Sequence, residues 1–113
     1  PFAGTVLLEH ANDWFEMGRI KESAYMSYAI PVKEEKKEII PCITHVDGTC
    51  RIQTLTREQN KNYYDLIELF FKKTNVPILF NTSFNLAGEA LVETQEDALD
   101  TLERSNINYL YLP

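Results

Sequence analysis

Apolar residues cluster in several short runs of this chain, and most of those runs predict strands. FAGTVLLE (2–9), AYMSYAIPV (24–32) and VPILF (76–80) combine apolar with β-branched residues. Pro31 places the second of them at an edge or at a strand end, because proline cannot donate to a central ladder. VPILF is unbroken, which is typical of a strand buried on both faces.

Other segments show helical spacing. HANDWFEM (10–17) groups its large apolar residues as in a short amphipathic helix. TREQNKNYYDLIELFFKKT (56–74) repeats them every three or four residues, which predicts a long amphipathic helix from about Glu58. Thr94 is a natural N-cap with Glu96 and Asp97 in the first turn, so it predicts a further helix. Asn106 suits the C-cap, and INYLYL (107–112) is predicted as a final strand.

Asp47-Gly48 lies between IPCITHV (40–46) and TCRIQTL (49–55), and it supplies the positive φ of a tight turn. This pattern predicts a β-hairpin. The charged run KEEKKE (33–38) indicates a solvated loop. A helix followed by a buried strand favours an α/β (α+β) fold, with residues 1–113 forming one domain.

Composition narrows the class of protein. A net charge of −6 over 113 residues disfavours general binding to nucleic acid or anionic lipid, although a pocket with one arginine can still bind a small anion. No apolar run approaches the roughly 18 residues of a membrane helix, and the cytoplasm is the expected compartment. The chain begins at Pro1 inside a strand-like segment, which suggests a piece of a longer protein.

Cys42 and Cys50 are the two cysteines, and they flank His45 and Asp47. Two thiols do not make a disulfide framework, and alternating side chains in this region point to opposite faces. Reduced, structural cysteines are therefore favoured over a zinc site, and no metal ligand is predicted in this chain.

Uncharged polar residues follow the apolar VPILF run, in the sequence FNTSFNLAGEALV (80–92). Ligands of open α/β sheets bind at the carboxyl ends of strands, where such side chains and backbone amides can hold phosphate or carbonyl oxygens. An alternative is that Asn81 and Asn85 only fix the turn through their own hydrogen bonds. The set contains no nucleophile with a base, which indicates recognition and positioning.

THVDGTCRIQTLTREQN, followed by VPILFNTSFNLAGEALVETQEDAL, resembles the C-terminal domain of the NodU/CmcH-type carbamoyltransferases. The resemblance extends upstream through PFAGTVLLEHANDWFE and AYMSYAIPV, so it covers nearly the whole chain. It implies a YrdC-like twisted mixed sheet with helices packed against it, as a fragment of a larger domain. A Gly- and Arg-rich segment expected before Pro1 is absent from this chain.

The resemblance also implies a function. This domain would use ATP, with Mg²⁺, and carbamoyl phosphate to form carbamoyl-adenylate. A Kae1-like domain with Fe²⁺ or another divalent metal would then transfer the carbamoyl group to a hydroxyl acceptor. Both that domain and the Gly- and Arg-rich segment are missing here, so the isolated chain is expected to be inactive or impaired. The acceptor and the oligomeric state are left open, a homodimer included.

Matching positions give the candidate site residues. Arg51 and Ser83 are the predicted catalytic residues, since a guanidinium fork binds phosphate in a bidentate manner. The other predicted ligand contacts are His45, Gln53, Asn81, Thr82, Asn85 and Gly88, and Glu89 matches the acidic residue after that glycine. Without the resemblance, Arg51 would be assigned to a surface salt bridge and His45 to a structural role.

Two alternative functions belong to other classes. YrdC-like folds resemble double-stranded RNA binders, so a non-catalytic nucleotide- or RNA-binding module is one, and the negative charge counts against RNA. The other is a structural or dimerising domain with a degenerate pocket. A failure to bind duplex RNA at any salt concentration would remove RNA binding, and binding of ATP with carbamoyl phosphate that Arg51→Ala weakens would support the enzyme.

Overall fold

The computed structural model describes residues 2–112 and divides into two units, residues 1–81 and 82–113. In the first unit the strands are β1 (Ala3–Leu7), β2 (Ala29–Pro31), β3 (Thr49–Leu55) and β4 (Ile78–Asn81), and the helices are α1 (Ala11–Trp14) and α2 (Lys61–Thr74). Short 3-10 turns cover Leu8–His10 and Glu34–Lys36. The second unit contains α3 (Gln95–Arg104). No helix within residues 2–112 is long and apolar enough to cross a membrane.

The four strands form one mixed sheet in the order β2-β3-β1-β4. β1 and β3 run parallel, with Ala3 opposite Arg51 and Thr5 opposite Gln53. β4 pairs antiparallel with β1, which places Asn81 on the other side of Ala3. The mixed sheet with helices confirms the predicted α+β class, and β2 is an edge strand, as Pro31 predicted.

The two faces of the sheet are covered differently. Val6, Cys50, Ile52 and Ile78 belong to the larger apolar cluster, together with Trp14 and other residues that follow β1. On the opposite face, a smaller cluster of Leu7, Leu55 and Ile67 packs the sheet against α2. The alternation of side chains along each strand therefore divides the sheet into a core face and a second face that α2 covers only in part.

The predicted hairpin is only half correct. The turn exists, because Gly48 has a φ of +80° and its N–H donates to the carbonyl oxygen of His45 at 2.9 Å. Residues 40–44 are wound into turns, however, with the Thr44 N–H bonded to the Ile40 carbonyl at 3.2 Å. Ile40 and Ile43 reach the core from that wound segment, so burial did not need a strand there.

Three further predictions need correction. β4 is an edge strand with Phe80 46% exposed, so its apolar run does not signify burial on both faces. Residues 107–112 form no strand, although INYLYL has strand composition. The helix predicted from Glu58 begins at Lys61, where the Asn60 side chain caps it by accepting from the Tyr63 N–H at 3.0 Å.

The other predicted helix is confirmed. Thr94 caps α3 in a reciprocal arrangement. The Thr94 hydroxyl accepts from the Asp97 N–H, and the Asp97 carboxylate accepts from the Thr94 N–H. The Thr94 hydroxyl also donates to the Asp97 carboxylate, at 2.7 Å, and the two bonds from the Thr94 hydroxyl and N–H hold the pKa of Asp97 below its ordinary value. The C-cap is Ser105 rather than Asn106.

Candidate functional site

Adjacent residues of β3 serve opposite faces of the sheet. Cys50 and Ile52 are fully buried in the core cluster, whereas Arg51 is exposed and Gln53 is half-buried. Since side chains alternate along a strand, Arg51 and Gln53 share the second face with their ladder partners Ala3 and Thr5. Asn81 lies on that face too, because it is also paired with Ala3.

A hydrogen-bonded polar cluster occupies this second face. Thr5 is completely buried, and its hydroxyl donates to Gln53 Oε1 at 3.1 Å. Asn81 Nδ2 donates to Thr5 Oγ1 at 2.9 Å and to Gln53 Oε1 at 3.0 Å. Gln53 Nε2 donates in turn to the Ala24 carbonyl at 3.0 Å. The structure thus joins the predicted residues Gln53 and Asn81 by a side-chain hydrogen bond, although β1 lies between their two strands.

Arg51 stands beside this cluster as an exposed cation. No ion pair of Arg51 is found within residues 2–112, so the salt bridge that would explain it structurally is not present there. Arg51 and Asn81 are each one strand away from Ala3, which separates their backbones by about 10 Å. A guanidinium with no carboxylate partner keeps its five donors available for an anion.

His45 secures the turn before β3. Its Nε2 lies 3.2 Å from the Phe2 carbonyl oxygen, and its Nδ1 lies 3.5 Å from Thr49 Oγ1. Asp47 accepts from the Thr49 N–H at 2.9 Å and from the Thr49 hydroxyl at 2.7 Å, and these two bonds lower the pKa of Asp47. The imidazole therefore links the turn to the start of β1, and a ligand contact by His45 stays a prediction.

The remaining candidates, Thr82, Ser83, Asn85 and Gly88, lie in the second unit. Thr82 and Ser83 are exposed. Asn85 Nδ2 donates to the carbonyls of Leu86 at 3.0 Å and Glu89 at 3.2 Å, and its Oδ1 is buried without a partner among residues 2–112. Gly88 has a φ of +85° in open space, so backbone conformation is a sufficient reason for glycine there.

The cysteines have different surroundings. Cys42 is exposed and Cys50 is buried, and both are free thiols. Burial raises the pKa of the Cys50 thiol to about 11. No group of three or more potential metal ligands occurs in the described part of the chain.

A surface cavity of about 340 Å³ lies at the carboxyl ends of the parallel strands β1 and β3. It contains none of the predicted site residues. Two of its lining residues are joined by a hydrogen bond from the Tyr64 hydroxyl to the Glu9 carboxylate, and that bond raises the pKa of Tyr64 to about 12. Its lining consists of Leu8, Glu9, Thr56, Arg57, Glu58 and Tyr64.

Thr5 is the residue of the polar cluster that sequence analysis missed. FAGTVLLE looks uniformly apolar, so its threonine passes as a strand former. Parallel pairing of β1 with β3 places Thr5 opposite Gln53. The role of Thr5 becomes visible only once this long-range register is known.

Comparison with known proteins gives a consistent result. The full chain, residues 1–113, matches the family described as the carbamoyltransferase C-terminus. It is 42% identical over 111 residues to nodulation protein NolNO of Sinorhizobium fredii, and 40% identical over 111 residues to nodulation protein NolO of Bradyrhizobium diazoefficiens. Each alignment covers 97% of this chain, but 16% and 20% of those relatives.

A third relative has an enzyme name. The chain is 32% identical over 87 residues to the 3'-hydroxymethylcephem-O-carbamoyltransferase of Amycolatopsis lactamdurans, covering 77% of this chain and 16% of that protein. The chain therefore spans about a fifth or less of the length of these three relatives.

Proposed function

Because this chain belongs to the carbamoyltransferase C-terminus family, we propose that it is the part of an O-carbamoyltransferase that binds ATP and carbamoyl phosphate and forms carbamoyl-adenylate. The proposal extends to the rest of a longer protein, where a Kae1-like domain with a divalent metal passes the carbamoyl group to a hydroxyl. ATP and carbamoyl phosphate are cytoplasmic metabolites, so the enzyme is placed in the cytoplasm.

The chemistry requires positioning more than covalent help from the protein. Water releases inorganic phosphate from carbamoyl phosphate and leaves carbamate, whose oxygen attacks the α-phosphorus of ATP while pyrophosphate departs. Such a reaction is accelerated mainly by holding the reactants in line and by neutralising the charge that develops on phosphate oxygens. Arginine, amide and hydroxyl donors, together with the Mg²⁺ bound to ATP, are suited to both tasks.

The observation that carries the proposal is that Arg51, which has no ion pair among the described residues 2–112, shares a sheet face with Gln53 and Asn81. Arg57 and Arg104 have carboxylate partners, whereas exposed Arg19, like Arg51, has no ion pair within residues 2–112. Arg51 instead lies beside amide and hydroxyl groups that add no negative charge. This combination favours a phosphate-containing ligand over a cationic one.

The experiment is a calorimetric titration with ATP and carbamoyl phosphate, on this chain and on a version extended upstream. We expect Arg51→Ala to weaken binding by about tenfold or more, because a charge-assisted bidentate contact is lost. Arg19→Ala is the matched control, since Arg19 is exposed and lies in the loop between α1 and β2. Absence of binding even in the extended version would reject the proposal.

A further inference from the structure

We propose that Thr5 and Gln53 are positioning residues that fix the amide of Asn81, so that Asn81 Oδ1 accepts a hydrogen bond from the NH₂ group of carbamoyl phosphate. The inference rests on the proposed function. It adds the means by which the site distinguishes a carbamoyl group from an acyl group that lacks an N–H.

The orientation of Gln53 is set from outside the cluster. The Ala24 carbonyl oxygen, 3.0 Å away, can only accept a hydrogen bond, so the nitrogen of the Gln53 amide must face it. Gln53 Oε1 then points to the opposite side, where it accepts from Thr5 and from Asn81. The backbone of the loop before β2 thus determines which end of the Gln53 amide meets Asn81.

That orientation fixes Asn81 in turn. Its Nδ2 carries two hydrogens, and two acceptors face it: Gln53 Oε1 at 3.0 Å and Thr5 Oγ1 at 2.9 Å. Thr5 can accept there because its own hydrogen is given to Gln53 Oε1. Both donors of Asn81 are therefore used within the protein, and its carbonyl oxygen is the group left for a ligand. A carbonyl oxygen selects a partner with an N–H or O–H.

The same arrangement recurs in the second unit, at a residue that the polar cluster does not include. Asn85 gives its Nδ2 to two backbone carbonyls, which leaves Oδ1 buried and without a partner among residues 2–112. Buried polar atoms are normally hydrogen-bonded, so Asn85 Oδ1 is an unsatisfied acceptor among the described residues. Two asparagines of the NTSFN segment are thus each arranged as acceptors.

Arg51 defines the other end of the ligand. Both Arg51 and Asn81 pair with Ala3, whose small side chain separates them on the second face. A guanidinium fork suits a phosphate, and the Asn81 carbonyl suits an amino group. A small molecule with a phosphate at one end and an NH₂ at the other, as in carbamoyl phosphate, satisfies both groups.

The test compares carbamoyl phosphate with acetyl phosphate, which has a methyl group in place of the NH₂. Affinities are measured by calorimetry on the full-length protein, for the wild type, Thr5→Val and the control Thr5→Ser. We expect the wild type and Thr5→Ser to prefer carbamoyl phosphate by about tenfold, since one hydrogen bond to the NH₂ is at stake. Thr5→Val should lose most of this preference, with its affinity for acetyl phosphate unchanged.

Gln53→Met provides a second variant at a half-buried position, should Thr5→Val fail to fold. It removes the acceptor for Asn81 and should also abolish the preference. The positioning role would be overturned if the variants bound both ligands equally more weakly, or if Gln53→Met kept the preference for carbamoyl phosphate. The proposed function would stay in place in either case. If the wild type bound neither carbamoyl phosphate nor acetyl phosphate, both the positioning role and the proposed function would be rejected.

Discussion

The two faces of the sheet use the same strands for different purposes. On the core face, Val6, Cys50 and Ile52 are completely buried among apolar neighbours. On the second face, the residues that alternate with them include Thr5, Gln53 and Arg51, which are hydrogen-bonded or charged. A shift of one position along β3 therefore separates a residue that stabilises the fold from a residue that is available to a ligand.

This difference has a physical basis in the coverage of each face. Apolar side chains cover most of the core face, whereas α2 packs against the second face only near Leu7 and Leu55. The polar cluster lies on the remainder, where its amides can satisfy one another before any ligand arrives. Satisfied polar groups hold their orientation at little cost in stability, which is what a binding surface needs.

The largest expected effect is on the core face. Ile52→Ala should lower the free energy of unfolding by about 2–4 kcal/mol, because it removes buried methyl groups and leaves a cavity. Its neighbour Arg51→Ala should change the stability by less than about 0.5 kcal/mol, since that side chain is exposed. Urea denaturation followed by circular dichroism measures both. Comparable losses in the two variants would break the distinction between the faces.

Thiol chemistry gives the next contrast. Burial raises the pKa of Cys50 to about 11, so its thiolate fraction at neutral pH should be about a hundredfold below that of a thiol with an ordinary pKa. Exposed Cys42 should react with an aromatic disulfide reagent in the folded protein, and Cys50 only after unfolding. The fast reaction should be lost in the Cys42→Ser variant, which would identify Cys42 as the thiol that reacts in the folded protein. Rapid modification of Cys50 in that variant would contradict its place on the core face.

The smallest effect concerns Tyr64, whose hydroxyl bonds to Glu9 where α2 meets the end of β1. The folded pKa of about 12 lies above the ordinary value of 10, so the neutral phenol is favoured by folding. The advantage of the wild type over Tyr64→Phe should thus be fully present below pH 10 and disappear as the pH rises through 12. At lower pH we expect it to stay under about 1 kcal/mol.

Denaturation curves of the wild type and Tyr64→Phe at several pH values measure that dependence, and ultraviolet absorption follows the phenolate directly. Tyr25→Phe is the control, because Tyr25 is 87% exposed. An advantage that grows between pH 10 and 12 would contradict the assigned hydrogen bond.

Local patterns predicted the elements that have local causes. The α3 cap at Thr94 and the tight turn at Gly48 follow from residues within four positions of each other, and both are present. IPCITHV and INYLYL failed because apolar composition does not say whether a partner strand is available. The wound segment with Ile40 and Ile43 reaches the core without pairing, and residues 107–112 have no ladder partner in the described chain.

The candidate site was only partly visible in the sequence, for a similar reason. Arg51, Gln53 and Asn81 came from a family resemblance, but their common face depends on β1 lying between β3 and β4. Thr5 is 48 residues from Gln53 and 76 from Asn81, so no local pattern could join the three. Long-range register, rather than residue type, assembles the cluster.

The central claim is that the second face of the sheet, at Arg51, Gln53 and Asn81, is where the protein binds carbamoyl phosphate. Nitrogen-resolved NMR spectra of the labelled protein test it most directly, because the side-chain NH₂ groups of Gln53 and Asn81 give their own signals. On titration with carbamoyl phosphate, we predict shifts of those two signals and of the Arg51 backbone amide. Shifts confined to the cavity at Leu8 and Thr56, with the Gln53 and Asn81 signals unmoved, would contradict the account.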